Sequence, residues 1–293
     1  MFETTNERKL GSTVQDGVIL GNNLYIAVSK SNTIEVVNKN TLVSVVQIVP
    51  TPAQGNTPRD IVTDGKYVYV SMYTGVVSRI DPSTNTIDKT VAVGPNPEEM
   101  VIVNKSLYVT NSDGNNYNAG YANGKSVSKI SLSDFVEEKK IAVGLNPTKI
   151  TADALGNVLV LCMGDYSATP ATVWKINAED EATSMNIPAT IMDIKDNSLY
   201  VINAPYGAPS ITYTVYNTSS GAVEKENFVS APVDAPAGIA VHSDGRIFIT
   251  SYTLVGGFAS YKTPGYVSEY SSDGTFVKKY DVGVGAVSMT FLK

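Results

Sequence analysis

The chain has 293 residues, 43% apolar and only 17% charged, a balance that excludes a disordered polymer and suits many short, half-buried strands. Its formal charge of −6, with Lys and Arg scattered and forming no basic stripe, excludes the clustered cations that nucleic-acid binding requires. No run of about 18 apolar residues offers a membrane-spanning helix, and Cys162 is the only cysteine, which excludes an internal disulfide and reads as buried within Val158–Cys162.

In chain order the sequence repeats one module of four strands. The first copy has its second strand at Leu24–Val28, its third at Ile34–Val37 and its fourth at Val43–Ile48. The next copies follow at Val68–Ser71, Val76–Ile80 and Ile87–Val93, then at Leu107–Thr110, Val127–Ile130 and Phe135–Val143. The fourth copy reads Val158–Leu161, Val173–Ile176 and Thr183–Ile187, and the fifth Leu199–Ile202, Thr212–Tyr216 and Val223–Val229. The sixth is Ile247–Thr250, Tyr266–Tyr270 and Phe276–Val282. β-Branched residues dominate and no 3.6-residue pattern competes. Marker residues Tyr25, Tyr69, Tyr108, Leu159, Tyr200 and Phe248 are spaced by 44, 39, 51, 41 and 48 residues. A period of roughly 40–50 with four strands per unit predicts an all-β propeller.

The junctions repeat as well. Val93-Gly94-Pro95-Asn96-Pro97 precedes Met100, Val143-Gly144-Leu145-Asn146-Pro147 precedes Ile150, and Val282-Gly283-Val284-Gly285-Ala286 precedes Met289. The last junction implies one further innermost strand at Val287–Leu292, matching Pro97–Val103. The expectation is therefore a single propeller domain over 1–293 with seven blade positions. Residues 1–12 would be a remnant of the last blade, with at most one short outer strand and a crossover. Six complete blades would fill 13–283, and 284–293 would supply the innermost strand of an incomplete seventh. A start within the last blade would leave an open strand edge there.

Connections in a propeller alternate between two faces. The first-to-second and third-to-fourth turns are tight here, as at Gly21-Asn22-Asn23, Asp64-Gly65-Lys66, Asp196-Asn197, Asp244-Gly245 and Asp273-Gly274. Every long loop falls in the other set: Pro50–Pro58, Asn111–Lys125, Met163–Ala171, Asn203–Ser210, Ser230–Pro236 and Ser251–Gly265. Binding residues concentrate on such loops over a rigid scaffold. Tyr, Ser, Gly and Asn give them a recognition vocabulary, drawn from 17 Tyr in the chain. The candidate ligand contacts are Tyr73, Asn111, Tyr117, Tyr121, Asp165, Tyr166, Tyr206, Tyr252 and Tyr261. Arg59, Asp60, Glu98, Glu99 and Lys149 stand near innermost-strand starts and are candidates for the channel mouth, with solvated junction polarity as the competing account.

Catalytic signatures are sparse. His242, the only histidine, sits beside the tight turn Ser243-Asp244-Gly245, on the face opposite the long loops. One His and one Cys exclude a His-ligated metal cluster. Asn111, Asp113 and Asn115 around Gly114 make a fragment of a calcium loop without its terminal Glu. No cofactor, metal or catalytic residue is expected, and Trp174 reads as packing within a third strand.

Leu24-Tyr25-Ile26-Ala27-Val28, Ser31-Asn32-Thr33-Ile34-Glu35-Val36 and the Val-Gly-x-Asn-Pro junctions resemble YncE-like propellers, a branch of the quinoprotein-dehydrogenase-like group. The stretch Glu7-Arg8-Lys9-Leu10-Gly11-Ser12-Thr13-Val14-Gln15-Asp16, with Gly164-Asp165-Tyr166-Ser167 and Val173-Trp174-Lys175-Ile176-Asn177, is similar to surface-layer-type propeller lipoproteins of Bacteroides. The resemblance implies an exported cell-envelope protein without catalysis, and by resemblance alone a corrinoid is a conceivable ligand. The expected function is a binding protein holding a small molecule, glycan or envelope protein on the long-loop face. The alternative is a propeller lyase or hydrolase using carboxylates and a bound cation at the channel mouth.

Overall fold

The computed structural model describes residues 2–206 and 210–291. After a short helix α1 (Phe2–Asn6), the first antiparallel sheet is β1 (Val14–Leu20), β2 (Asn23–Val28), β3 (Thr33–Asn38) and β4 (Ser44–Ile48). The second is β5 (Pro58–Thr63), β6 (Val68–Met72), β7 (Val76–Asp81) and β8 (Thr86–Ala92). The third is β9 (Pro97–Val103), β10 (Ser106–Asn111), β11 (Ser126–Ser131) and β12 (Val136–Ala142). Then come β13 (Pro147–Ala152), β14 (Val158–Cys162), β15 (Thr172–Ile176) and β16 (Ala182–Ser184). The fifth sheet is β17 (Ile191–Lys195), β18 (Ser198–Asn203), β19 (Thr212–Asn217) and β20 (Val223–Glu226). The sixth is β21 (Pro236–Val241) and β22 (Ile247–Ser251), a two-stranded insertion β23 (Leu254–Val255) and β24 (Phe258–Ala259), then β25 (Tyr266–Tyr270) and β26 (Phe276–Asp281). The chain divides into two compact units: residues up to Ile150 with Glu179–Ala182, and Thr151–Ala178 with Thr183–Phe291.

Strand order follows sequence order because each strand is joined to the next by a short hairpin or a single loop. The second strands carry unbroken apolar runs because both of their faces are covered. All five residues of β6 and of β14 are buried. The outermost strands show the opposite pattern, with every residue of β26 exposed. Those edges carry Asp88 and Lys89, Glu137 to Lys140, and Lys278 and Lys279, charges that discourage edge-to-edge pairing.

The core lies between neighbouring sheets. In the first unit Tyr25, Val36 and Ile48 pack with Ile61, Val70 and Ile80, and Tyr69 and Val77 pack with Leu107, Ile130 and Phe135. In the second, Leu161 and Val173 pack with Met192 and Val201, and Ile202 and Tyr213 with Ile249 and Tyr270. Two marker tyrosines bury their rings and satisfy their hydroxyls at tight turns: Tyr25 Oη donates to Asn85 Oδ1 at 2.9 Å and Tyr69 Oη to Asp64 Oδ2 at 3.0 Å.

Two expectations are corrected. The N-terminal residues form a helical turn instead of an outer strand, and they fasten to the first sheet. Asn6 Nδ2 donates to Leu42 O at 2.8 Å, Ser44 N donates to Asn6 Oδ1 at 2.7 Å, and Arg8 Nη2 donates to the buried Glu35 at 2.6 Å. The seventh blade is the second correction: among the described residues there are six four-stranded sheets, and 287–291 form no strand. A lone innermost segment has no second strand to ladder with. It nevertheless runs beside β21, in the same direction. Val287 O lies so near Gly238 that a Cβ there would meet it at 2.2 Å, and the Phe291 ring packs on His242 and Phe248 at 4.8 and 5.3 Å. Leu292 lies outside the described residues.

Candidate functional site

In the second and third sheets a β-bulge shapes the long-loop end of the innermost strand. Pro58 pairs with Met72 and Ile61 with Val70, so Arg59 and Asp60 together oppose Ser71. Pro97 pairs with Asn111 and Met100 with Val109, so Glu98 and Glu99 oppose Thr110. An extra residue re-aims adjacent side chains. The freed backbone groups are satisfied by hydroxyls: Asp60 N donates to Ser71 Oγ at 3.0 Å, Ser71 Oγ to Glu98 O at 2.6 Å, and Thr110 Oγ1 to Glu99 O at 3.3 Å.

The five charged candidates separate into two groups. Asp60, Glu99 and Lys149 stand on β5, β9 and β13 with Asp16 of β1. Innermost strands of neighbouring sheets lie side by side without a ladder, so their outward N–H groups need other acceptors. Asp60 Oδ2 accepts from Met100 N at 2.7 Å, Glu99 Oε2 from Ile150 N at 3.4 Å, and Asp16 from the Ile61 N–H. In the second unit Asp193 Oδ2 likewise accepts from Val241 N at 2.7 Å. The Asp16 and Asp60 carboxyls are hydrogen-bonded to one another. Burial first, then the Asp16 and Glu99 charges, raise the Asp60 carboxyl well above the usual carboxylate range. Burial likewise raises Asp16. Lys149 Nζ is paired with Glu99 Oε1. Burial opposes the Lys149 charge, but Glu99, Asp60 and Asp16 outweigh it and hold the ammonium above its ordinary value. These carboxylates stitch neighbouring sheets together, and Lys149 offsets part of their charge.

Arg59 and Glu98 form the second group, at the long-loop end. Arg59 Nε and Nη2 both donate to Glu98 Oε2, at 2.8 and 2.5 Å. The guanidinium lies over the Tyr73 ring, 4.8 Å from its centroid. The Tyr73 hydroxyl faces Glu98 and Ser112, and burial followed by the Glu98 charge pushes it up to about 12. Ser112 Oγ lies 3.2 Å from Glu98 Oε1 and 2.9 Å from Asn96 O. Burial raises the Glu98 carboxyl although Arg59 opposes the shift. A Cβ on Gly114 would stand 2.2 Å from Tyr73 Oη, so only glycine allows the loop this close.

The remaining candidates are dispersed. Asn111 is fully buried and gives its amide to Ser126 and Ser128 Oγ, at 3.0 and 2.9 Å, so it braces the loop base. Asp113 closes the same loop, its Oδ2 accepting from Asn123 N and Asn116 Nδ2 at 2.9 and 3.0 Å, and Asn115 N donates to Asn96 Oδ1 at 3.0 Å. Tyr121 is half-buried, with a left-handed backbone. Tyr117, Tyr166, Tyr206 and Tyr261 are 63%, 65%, 95% and 73% exposed. Asp165 turns its own loop by accepting from Ser167 and Thr169 N at 2.9 and 2.8 Å. Tyr252 and Tyr261 meet edge to face at 5.0 Å beside the insertion of β23 and β24. The tip 207–209 of the Tyr206 loop lies outside the described residues.

At the tight-turn ends, His242 Nδ1 is 2.8 Å from Asp244 Oδ1. A cleft of about 150 Å³ opens there between Tyr200, Phe228, Lys225 and Ser272. Among the described residues no three His, Cys, Asp or Glu side chains are placed to hold a metal ion. No helix among them is long and apolar enough to cross a membrane. Asp16, Ser112 and Asp193 were not singled out from sequence. Aligning the innermost strands on Asp16, Asp60, Glu99 and Lys149 would have found Asp16.

No protein-family model and no curated relative matches the sequence. Solved structures do. The chain is similar to hydrazine synthase of Kuenenia stuttgartiensis at TM-score 0.66 and 16% identity, covering 91% of this chain and 80% of that one. It is similar to a functionally unknown protein of Desulfotomaculum acetoxidans DSM 771 at TM-score 0.65 and 13% identity, with 90% and 81% covered. The computationally designed Ika8 protein matches at TM-score 0.64 and 9% identity, with 96% and 91% covered. At these identities the likeness shows the fold alone: an all-β propeller with six four-stranded blades.

Proposed function

We infer that this chain is a non-enzymatic binding protein of the cell envelope, presenting a small molecule, glycan or envelope protein to the loops at the long-loop ends of its sheets. The carrying observation is the exposure of tyrosine rings on the long loops. Tyr117, Tyr166, Tyr206 and Tyr261 stand well out in solvent on loops at that end of their sheets. An exposed tyrosine contributes nothing to the core, and it supplies contact area at small entropic cost when a ligand covers it. The envelope assignment, the YncE-like kinship and a corrinoid as one possible ligand rest on the sequence resemblance.

A thermal-shift screen with cobalamin and a glycan panel tests the reading, because a ligand of the native state raises its apparent stability. A hit should weaken by about 10-fold, or ~1.4 kcal/mol, when the tyrosine it covers becomes alanine. Unchanged affinity across Tyr117→Ala, Tyr166→Ala, Tyr206→Ala and Tyr261→Ala would sink it.

Lyase or hydrolase chemistry draws on the proton-sharing Asp16–Asp60 pair beside Glu99 and Lys149. Against it, Asp16, Asp60 and Glu99 each already accept a backbone N–H, and their partner cation is a protein lysine.

A further inference from the structure

We propose that Arg59 is the anchor for an anionic group of the ligand, a carboxylate or a phosphate, held at the long-loop end between the second and third sheets. The proposal deepens the binding reading above and rests on it.

Four observations carry it. First, the Arg59–Glu98 pair has no duty in the scaffold that the repeat demands. Asp60 and Glu99, one residue on, each cap a neighbour's N–H, whereas Glu98 accepts no backbone N–H among the described residues. The same sequence position after the opening proline holds Thr148 in β13 and Ala237 in β21, so the blade does not need a charge there. Second, the pair is withdrawn from water, with side chains 29% and 12% exposed. Desolvating two charges is weak evidence for stability and better evidence for a site.

Third, the guanidinium is preorganised. Glu98 grips it through Nε and Nη2, Tyr73 supports its face, and Ser112 and the Gly114 backbone hold Glu98 and Tyr73 in turn. Fourth, that grip uses one edge of the fork. Arg59 Nη1 has no partner among the described residues. A planar guanidinium with a free edge matches a carboxylate or phosphate. The 111–125 loop, which passes Tyr73 at Gly114, then presents exposed Tyr117 three residues later.

Isothermal titration with benzoate, with inorganic phosphate and with neutral benzamide tests this. Benzoate or phosphate should bind the wild type, and whichever binds more tightly identifies the anion. Benzamide should bind at least 10-fold more weakly than benzoate. Because Arg59→Met alone strands the Glu98 carboxylate, the uncharged double variant Arg59→Met/Glu98→Gln carries the test. It should keep the wild-type circular dichroism and lose anion binding by at least 10-fold. Glu98→Gln alone should tighten it severalfold, since a competing carboxylate has lost its charge, an effect a merely structural pair would not give. Failure of both anions to bind, equal binding of benzamide, or anion affinity unchanged in the double variant would each overturn the proposal. Benzoate binding that matches benzamide in the wild type and persists unchanged in the double variant would overturn the Arg59 anchor while leaving a binding role for the tyrosines intact.

Discussion

Replacing Asp60 separates its two tasks. One carboxylate oxygen accepts the Met100 N–H at 2.7 Å, and the carboxyl is hydrogen-bonded to Asp16. Burial and the Asp16 and Glu99 charges favour the protonated form. Asparagine reproduces that form: its Oδ1 accepts from Met100 and its amide donates to Asp16. Alanine strands a buried N–H, which costs about 1–3 kcal/mol, or roughly 2–4 °C of melting temperature per kcal/mol at this size. The folded Asp60 binds its proton more tightly than the unfolded chain does, so the folded state holds more protons above pH 3.8. Its contribution is therefore present at and below that pH and is lost as pH rises toward the folded value, by ~1.4 kcal/mol for each unit between the two. Asp60→Asn should match or exceed the wild type at pH 7, with its advantage shrinking toward pH 4, while Asp60→Ala melts below Asp60→Asn throughout and falls furthest below the wild type at pH 4. Circular-dichroism melts of the three proteins between pH 4 and 8 read this directly. An Asp60→Asn protein as unstable as Asp60→Ala, or an advantage that grows on acidification, would refute the reasoning.

Three further outcomes are expected. Arg8→Met removes the cation from Glu35, whose side chain is fully buried, and should lower urea-unfolding stability by about 1–3 kcal/mol, less than for a fully buried pair because Arg8 is 38% exposed. Gly114→Ala drives a Cβ toward Tyr73 Oη and should cost about 1–3 kcal/mol in the same assay, with a shift in Tyr73 absorbance as the ring moves. Gly238→Ala collides with Val287 O, so hydrogen exchange should speed up across 287–291 while β22 and β25 keep their protection.

The blades were legible because the second strand of each is covered on both faces. A continuous apolar run closing on a tight turn leaves few other readings, and the spacing of Tyr25, Tyr69 and Tyr108 then sets the period. The fourth strands were less legible. β16 stops at Ser184 and β20 at Glu226, short of the expected Ile187 and Val229, because Ile187, Phe228 and Val229 belong to the packing between sheets. Apolar residues in sequence do not say whether they extend a ladder or leave it to fill a core. Five helical residues at Phe2–Asn6 are too few to show a 3.6-residue period, and their hold on the first sheet passes through Asn6 and Arg8, which any exposed turn could contain.

The candidate site was half legible for a different reason. Arg59, Asp60, Glu98 and Glu99 stood out as charges at strand starts, but adjacent charges on an ordinary strand would simply point to opposite faces. The bulge changes that by setting two residues against one on β6 and again on β10. Asp60 and Glu99 then cap the neighbouring innermost strands, while Arg59 and Glu98 meet each other at the loops, 39 residues apart in sequence. The stitching residue is constrained, because an N–H on the next sheet must find an acceptor. The loop-end residue is unconstrained by the blade, as Thr148 and Ala237 at the corresponding sequence positions show. Charge at a position the scaffold leaves free, buried against an aromatic ring and braced by the Ser112 and Tyr73 hydroxyls, is where selection for a ligand would act without unfolding the blades.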